Sequence, residues 1–296
     1  MKRLVVNADD FGLTRGVNRA IVACHERGLV TSTTLMATGS ALDEAVALGC
    51  TLPCLGVGCH VVLVDGEPLL PPTEVRSLLA PGTTRFYNTI GEIVQAVARG
   101  RFRAEEVEAE ATAQMARLRQ LGVPLTHFDA HKHTHMFPSI LRPVLKAARA
   151  QGVRAVRNPF EPATSMKLST VFGSRKLLVR WAEVVVLARL RSRWLRIVHE
   201  SGLLTTQGSL GVAVTGLLEP RVLGEMLERM PEGTWELCCH PGYNDEELGK
   251  VRTRLRESRV VEMQTLMDAR LRQIAERLGI ELVNFADLTV PTGSAG

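Results

Sequence analysis

The chain has 296 residues, 45% hydrophobic and 23% charged, with 25 Gly, 14 Pro and 4% aromatic residues, which excludes a disordered, collagen-like or disulfide-stapled protein. Lys and Arg number 36 against 31 Asp and Glu, and a net charge of +5 is no nucleic-acid footprint unless it clusters. Length alone allows two domains, but α/β barrels routinely use ~250 residues as one, so a single domain over residues 1–290 with a flexible tail at 291–296 is expected.

Along the chain, short apolar runs alternate with helical patterns, the mark of βα units around a parallel sheet. Arg3 to Ala8 reads as the first strand and Gly16 to Arg27 as its helix. Thr31 to Met36 is the second strand, rich in β-branched residues and placed just beyond the helix-ending Gly28. Ala41 to Leu48 follows as a helix and Leu55 to His60 as the third strand. The next segment, of about thirty residues, carries Pro68, Pro71 and Pro72, and connections of that length are usually lids or binding segments. Ile90 to Leu121 is largely helical with a break at Gly100, because Ala104 restarts the pattern with acids in its first turn. Leu125 to Ala130 is the fourth strand, Pro138 to Gln151 its helix and Val153 to Arg157 the fifth strand. Later strands are predicted at Leu210 to Val214, Thr234 to His240 and Glu281 to Asn284, with helices at Pro220 to Arg229 and Arg256 to Leu278.

Lys176 to Ile197, inside a helical insertion at about residues 163–200, stands apart: it combines Arg180, Arg189, Arg191, Arg193 and Arg196 with Trp181, Trp194 and a dense aliphatic face. Such a helix either packs its Leu and Val on the barrel or lies on an anionic membrane surface, and the residues do not separate the two. No apolar stretch approaches the ~18 residues of a membrane span. Asp9 and Asp10 also cut short the apolar run that a leader would need. The six cysteines show no paired metal spacing and read as reduced core residues, so a cytoplasmic protein is expected, with peripheral contact on the inner face of the membrane as an option.

Titratable residues recur where apolar strands end. Asp9 and Asp10 follow the first strand, His60 closes the third and His240 the strand from Thr234; singly, each is an ordinary cap or packed residue. The fourth strand runs into His127, Asp129, His131, His133 and His135 at alternate positions, so an extended backbone would aim all five to one side. Half of the eight histidines in nine residues points to a metal. In a barrel of parallel strands these ends share one rim. One Asp and two His around a divalent cation would leave coordination positions open, with the second Asp to take a proton and His240 to give one to a departing amine.

On these residues the sequence resembles the YdjC-like carbohydrate deacetylases, which include the bacterial chitooligosaccharide deacetylase. The matching pieces are Val6-Asn7-Ala8-Asp9-Asp10-Phe11-Gly12-Leu13, Gly28-Leu29-Val30-Thr31-Ser32-Thr33-Thr34, Gly58-Cys59-His60, Asp129 to Pro138, and Cys239-His240-Pro241-Gly242. The resemblance implies a distorted (β/α) TIM-like barrel that removes acetyl from an N-acetylglucosamine unit with a divalent metal, Zn²⁺ or Mg²⁺. It implies Asp10, His60 and His131 as metal ligands, with His135 as the alternate third ligand, Asp9 as general base and His240 as general acid. Ala130 and Lys132 depart from the family's usual residues in the cluster. The basic segment Lys176 to Ile197 makes the chain look like the hopanoid-biosynthesis-associated branch, which implies a lipid-linked amino-sugar as substrate. Competing readings are a metal-dependent phosphoesterase and a non-catalytic lipid-binding protein; nucleic acid is not an expected partner, and a homodimer is left open.

Overall fold

A computed structural model gives the structure of residues 1–288; the tail expected at 291–296 lies outside the described residues. Among the described residues nine strands form one sheet: β1 (Lys2–Phe11), β2 (Ser32–Leu35), β3 (Gly56–Val61), β4 (His127–Ala130), β5 (Ala155–Val156), β6 (Leu204–Thr205), β7 (Ser209–Leu210), β8 (Gly233–Cys239) and β9 (Ile280–Val283). All named pairings are parallel, in the order β6-β5-β4-β3-β2-β1-β8-β7, and the sheet curls into a distorted barrel of α/β type. The outer strands are tied through the chain after β5, where Ser209 N–H reaches the Phe160 carbonyl at 3.1 Å and Ser209 Oγ that of Asn158 at 2.6 Å. β9 lies beside the first half of β1 and β2 beside the second half.

Side-chain alternation along β1 explains the core. Leu4, Val6 and Ala8 join the large apolar cluster shared with the surrounding helices, whereas Val5 belongs to a small separate cluster with Ala155, Val283, Phe285 and Leu288. That small cluster closes the inward side of the sheet next to a polar layer. His127 marks the boundary, its ring stacked on Phe285 at 3.8 Å and its Nε2 3.0 Å from Asn7 Oδ1.

Helices over Arg15–Arg27, Leu42–Cys50, Ile90–Ala98, Ala104–Gln120, Pro138–Ala150 and Pro220–Arg229 lie close to the predicted positions. The helix expected over Arg256 to Leu278 is two, Glu257–Leu266 and Ala269–Arg277, because Asp268 takes an extended backbone and caps the second through Arg270 N–H. The strand expected over Leu210 to Val214 ends after two residues, where Gly211 adopts φ 92°, and β6 has no clear sequence signal.

The basic segment is two helices, Arg175–Leu187 and Arg191–Ser201, joined by a 3₁₀ turn. The packing expectation holds for one face of it, and the helix just before it, Leu168–Phe172, shares its exposed side. Leu177, Val184, Trp194, Ile197 and Val198 are buried on the barrel, while Leu168, Phe172, Val179 and Val186 are each more than half exposed. Trp194 is the anchor: it is fully buried, packs against Phe160 and His135, and donates from Nε1 to the His135 carbonyl at 3.0 Å. Truncating Trp194→Ala is expected to cost about 3–5 kcal/mol in denaturant unfolding, with Trp194→Phe costing clearly less because it fills most of the cavity.

The long Pro-rich connection is a pinned segment. Glu110, buried in the Ala104–Gln120 helix, accepts from Leu69 N–H and Leu70 N–H at 2.8 and 3.0 Å. Its neighbour Gln114 accepts from Val62 N–H at 2.9 Å, and Lys132 Nζ donates to Asp65 at 2.6 Å. Among the described residues no helix is long and apolar enough to cross a membrane.

Candidate metal centre and its catalytic groups

Adjacent aspartates cannot serve one face of a regular strand, because neighbouring side chains point apart. The register of β1 against β2 removes the difficulty: Ala8 pairs with Thr33 and Phe11 with Leu35, so β1 takes three steps where β2 takes two. The extra residue is a bulge, and Asp10 absorbs it with φ 69°. Asp9 and Asp10 both end up buried, each with its own partners.

Asp10 Oδ1 lies 3.4 Å from His60 Nε2 and 3.5 Å from His131 Nδ1, and the two ring nitrogens are 3.2 Å apart. Oδ1 is buried and, among the described residues, has no hydrogen-bond partner. Three lone-pair donors that converge without a proton donor among the side chains facing Oδ1 other than the imidazoles fit one divalent cation, whose N and O ligands stand at about 2.0–2.2 Å from it. Burial pushes the Asp10 carboxyl up, but the Arg259 guanidinium and the two imidazoles hold it well below the usual range.

His60 is aimed by its neighbour. It sits in register with Asp129 across β3 and β4, and Asp129 Oδ1 takes its Nδ1 at 2.7 Å, which leaves Nε2 for the converging face. Burial lowers the His60 pKa, yet Asp129, Asp9 and Asp10 together raise it to about 9. A cation held at Nε2 would therefore have to displace a proton at neutral pH.

Asp9 belongs to a second group of charges. Arg157, just past β5 and fully buried, forks onto it with Nη1 at 2.7 Å from Oδ2 and Nη2 at 2.6 Å from Oδ1. The same guanidinium pairs with Asp129 through Nη1 and with Glu236 through Nε at 2.7 Å. Burial raises the Asp9 carboxyl, but Arg157 more than reverses this and keeps it ionised. Glu236 receives less help: burial, with Asp9 and Asp129 nearby, outweighs Arg157 and leaves its pKa at about 7. Asp9, His60 and Asp129 also come close enough to resemble a metal site, but the Arg157 guanidinium already bridges the two carboxylates. His240 faces Asp9 from β8, with Nε2 3.7 Å from Oδ2. Glu262 fixes it from behind, accepting its backbone N–H at 2.6 Å.

The five residues singled out from the sequence, Asp9, Asp10, His60, His131 and His240, thus meet at one rim. The alternate ligand His135 does not: it is fully buried under Trp194, with Nε2 3.1 Å from the Arg157 carbonyl. The expected one-sided array of histidines is also corrected. The chain leaves β4 at Ala130 and turns through Lys132 and His133 with φ 51° and 55°, which carries His133 and His135 out of the alternation, while His127 lies at the other end of β4, stacked on Phe285. His133 stays near the site as a neutral imidazole, its pKa lowered to about 3 by burial and then by Arg157. Sequence reasoning missed Arg157, Glu236, Arg259 and Glu262. Glu236 within the apolar run Trp235 to Cys239 was a usable signal, because a charge in a buried strand demands a partner. Arg259 and Glu262 lie in an ordinary-looking helix and gave none.

Residues 3–277 match the family described as YdjC-like protein. The chain belongs to that family. This YdjC-like chain is 33% identical over 287 residues to a carbohydrate deacetylase of Brevibacillus brevis, covering 97% of its own length and 99% of the relative's. It is 32% identical to a chitooligosaccharide deacetylase of Escherichia fergusonii, covering 96% and 98% of the two chains. Among solved structures, one from Enterococcus faecalis named for cellobiose-phosphate cleavage superposes with a TM-score of 0.77 at 26% identity, over 98% and 99% of the two chains.

Proposed function

We propose that this YdjC-like protein is a metal-dependent N-deacetylase that hydrolyses the N-acetyl group of an N-acetylglucosamine unit. The observation that carries the reading is the unbonded Asp10 Oδ1 facing His60 Nε2 and His131 Nδ1, with Asp9 and His240 at its edge. The names of the full-length relatives support the substrate class. Zn²⁺ or Mg²⁺ held by Asp10, His60 and His131 would polarise the amide carbonyl and acidify a water.

The chain's own residues supply the proton traffic. Asp9, ionised and oriented by Arg157, takes a proton from the attacking water. His240 gives a proton to the departing amine, which leaves poorly as an anion; its backbone is held by Glu262 and its Nε2 is turned to the Asp9 side. Acetate and the free amine result. A two-metal phosphoesterase is less well served, since Arg157 occupies the place of a second cation between Asp9 and Asp129.

At the finer level we assign the substrate to a glycosylated hopanoid carrying N-acetylglucosamine. The support is the outer face at residues 168–186, where exposed Leu168, Phe172, Val179 and Val186 are flanked by exposed Arg175, Lys176 and Arg189, a composition suited to an anionic membrane surface. The test is acetate release, followed by mass spectrometry, from N,N′-diacetylchitobiose and from the N-acetylglucosaminyl hopanoid. Activity on either one that is lost with chelator and restored by a divalent ion is expected, and activity on chitobiose alone would remove the lipid assignment. Asp10→Asn and His60→Ala are expected to lose the stoichiometric ion in metal analysis along with activity. A fully active Asp10→Asn protein would overturn the ligand set.

A further inference from the structure

Arg259 is one of the largest fully buried side chains of the protein, and among the described residues its only side-chain partner is Asp10. Nη2 donates to Asp10 Oδ2, while Nε and Nη1 are buried with no partner. As a structural ion pair this is poorly built, because most of the guanidinium's donors are unspent and an apolar side chain would fill the space at lower desolvation cost. The contrast with Arg157, which spends its fork on three carboxylates, is direct. The fold also clears a path for Arg259. A Cβ on Gly242 would stand 2.9 Å from Arg259 Cδ and 3.2 Å from its Cβ, so the glycine after His240 and Pro241 is what lets the stem pass. What Arg259 does reach is the one oxygen of Asp10 that faces away from the imidazoles.

We propose that Arg259 is a positioning residue that confines Asp10 to ligation through Oδ1 alone and, by its charge, loosens the site's hold on the cation. The proposal rests on the metal-centre reading above. A carboxylate with both oxygens free can clamp a cation through two atoms and use up a coordination position that water or substrate needs. With Oδ2 tied to a guanidinium, Asp10 contributes one atom, and a positive charge stands beside the ion. The result is weaker retention and a more open, more acidic centre. Each aspartate of the pair therefore has its own arginine: Arg157 orients Asp9, and Arg259 sets how Asp10 ligates.

The test uses Co²⁺ as the probe, read by visible absorption, whose intensity falls as coordination number rises, and by chelator competition. Arg259→Met is expected to bind Co²⁺ at least about tenfold more tightly, from removal of a neighbouring positive charge, with a weaker visible band as Oδ2 joins the ion. Arg259→Gln removes the charge with a polar side chain that ends two bonds short of Nη2, so it too releases Oδ2 and is expected to bind more tightly with a weaker band. It also carries the test if Arg259→Met does not fold. Equal or weaker Co²⁺ affinity in Arg259→Gln overturns the proposal, as does an unchanged band in a folded Arg259→Met. Failure of the wild type itself to bind Co²⁺ would remove the metal-centre reading and the Arg259 assignment together, and is seen before any variant is made.

Discussion

Replacing Asp9 by Asn is expected to lower turnover of an N-acetylglucosaminyl substrate by about 10²–10⁴-fold while leaving the bound ion in place, the loss typical of removing a general base. The substitution keeps the size of the side chain and its contact with Asn7 Nδ2, now 2.9 Å from Oδ1. What it removes is the charge that faces His240 and the two-pronged acceptor for Arg157. Because Asp10 and His60 have their own supports in Arg259 and Asp129, and His131 meets those two rather than Asp9, metal content measured by mass spectrometry should match the wild type. KM should move little compared with kcat, since the lost interaction belongs to the transition state. Wild-type kcat in a metal-loaded Asp9→Asn enzyme would refute the base assignment.

Arg157→Met is expected to cost about 3–5 kcal/mol, because it leaves Asp9, Asp129 and Glu236 buried around an apolar side chain. That is a large share of a typical stability of roughly 5–15 kcal/mol. The pH dependence gives the diagnosis. In the wild type the Asp9 carboxyl is depressed, so its contribution is full above the unfolded pKa near 3.8 and is lost as pH falls through the folded value. Without Arg157 burial dominates and the folded pKa values rise above the unfolded ones; the native state then binds more protons, and stability increases as pH falls. Urea midpoints at pH 8 and pH 5 should therefore show a deficit that shrinks toward acid. Adding Glu236→Gln should recover part of the loss at pH 8, because Glu236 already sits at about 7 and its neutral analogue suits the site. A deficit that stays constant with pH would mean that lost packing, not unpaired charge, is the cause.

How much of this could be read from the residues differs by element. The strands that carry the site were legible because parallel strands buried on both sides show as apolar runs: Leu4-Val5-Val6, Gly56 to Val61 and Trp235 to Cys239 lie within or beside their predicted spans. Of the two-residue strands, β5 falls inside the predicted span Val153 to Arg157 and β7 overlaps the start of Leu210 to Val214, whereas β6 gave no signal, since two residues carry no periodicity. The fate of the histidine cluster was not legible. Alternation predicts one shared side only while the backbone stays extended, and Lys132 and His133 in the left-handed region, a conformation uncommon outside glycine, break it.

The sequence by itself determined which side chains stand at the ends of strands, and in parallel βα units those ends meet at one rim; hence Asp9, Asp10, His60, His131 and His240 were identifiable before any coordinate. The tertiary structure alone decided which partners each of them meets there. The bulge in β1 gives the two aspartates different partners, the register of β3 on β4 sets Asp129 behind His60, and two buried arginines distant in sequence, Arg157 and Arg259, divide the carboxylates between them. Charge pairing in a low-dielectric interior depends on contacts within a few ångströms, and such contacts between residues some 150 to 250 positions apart leave no local trace in the chain.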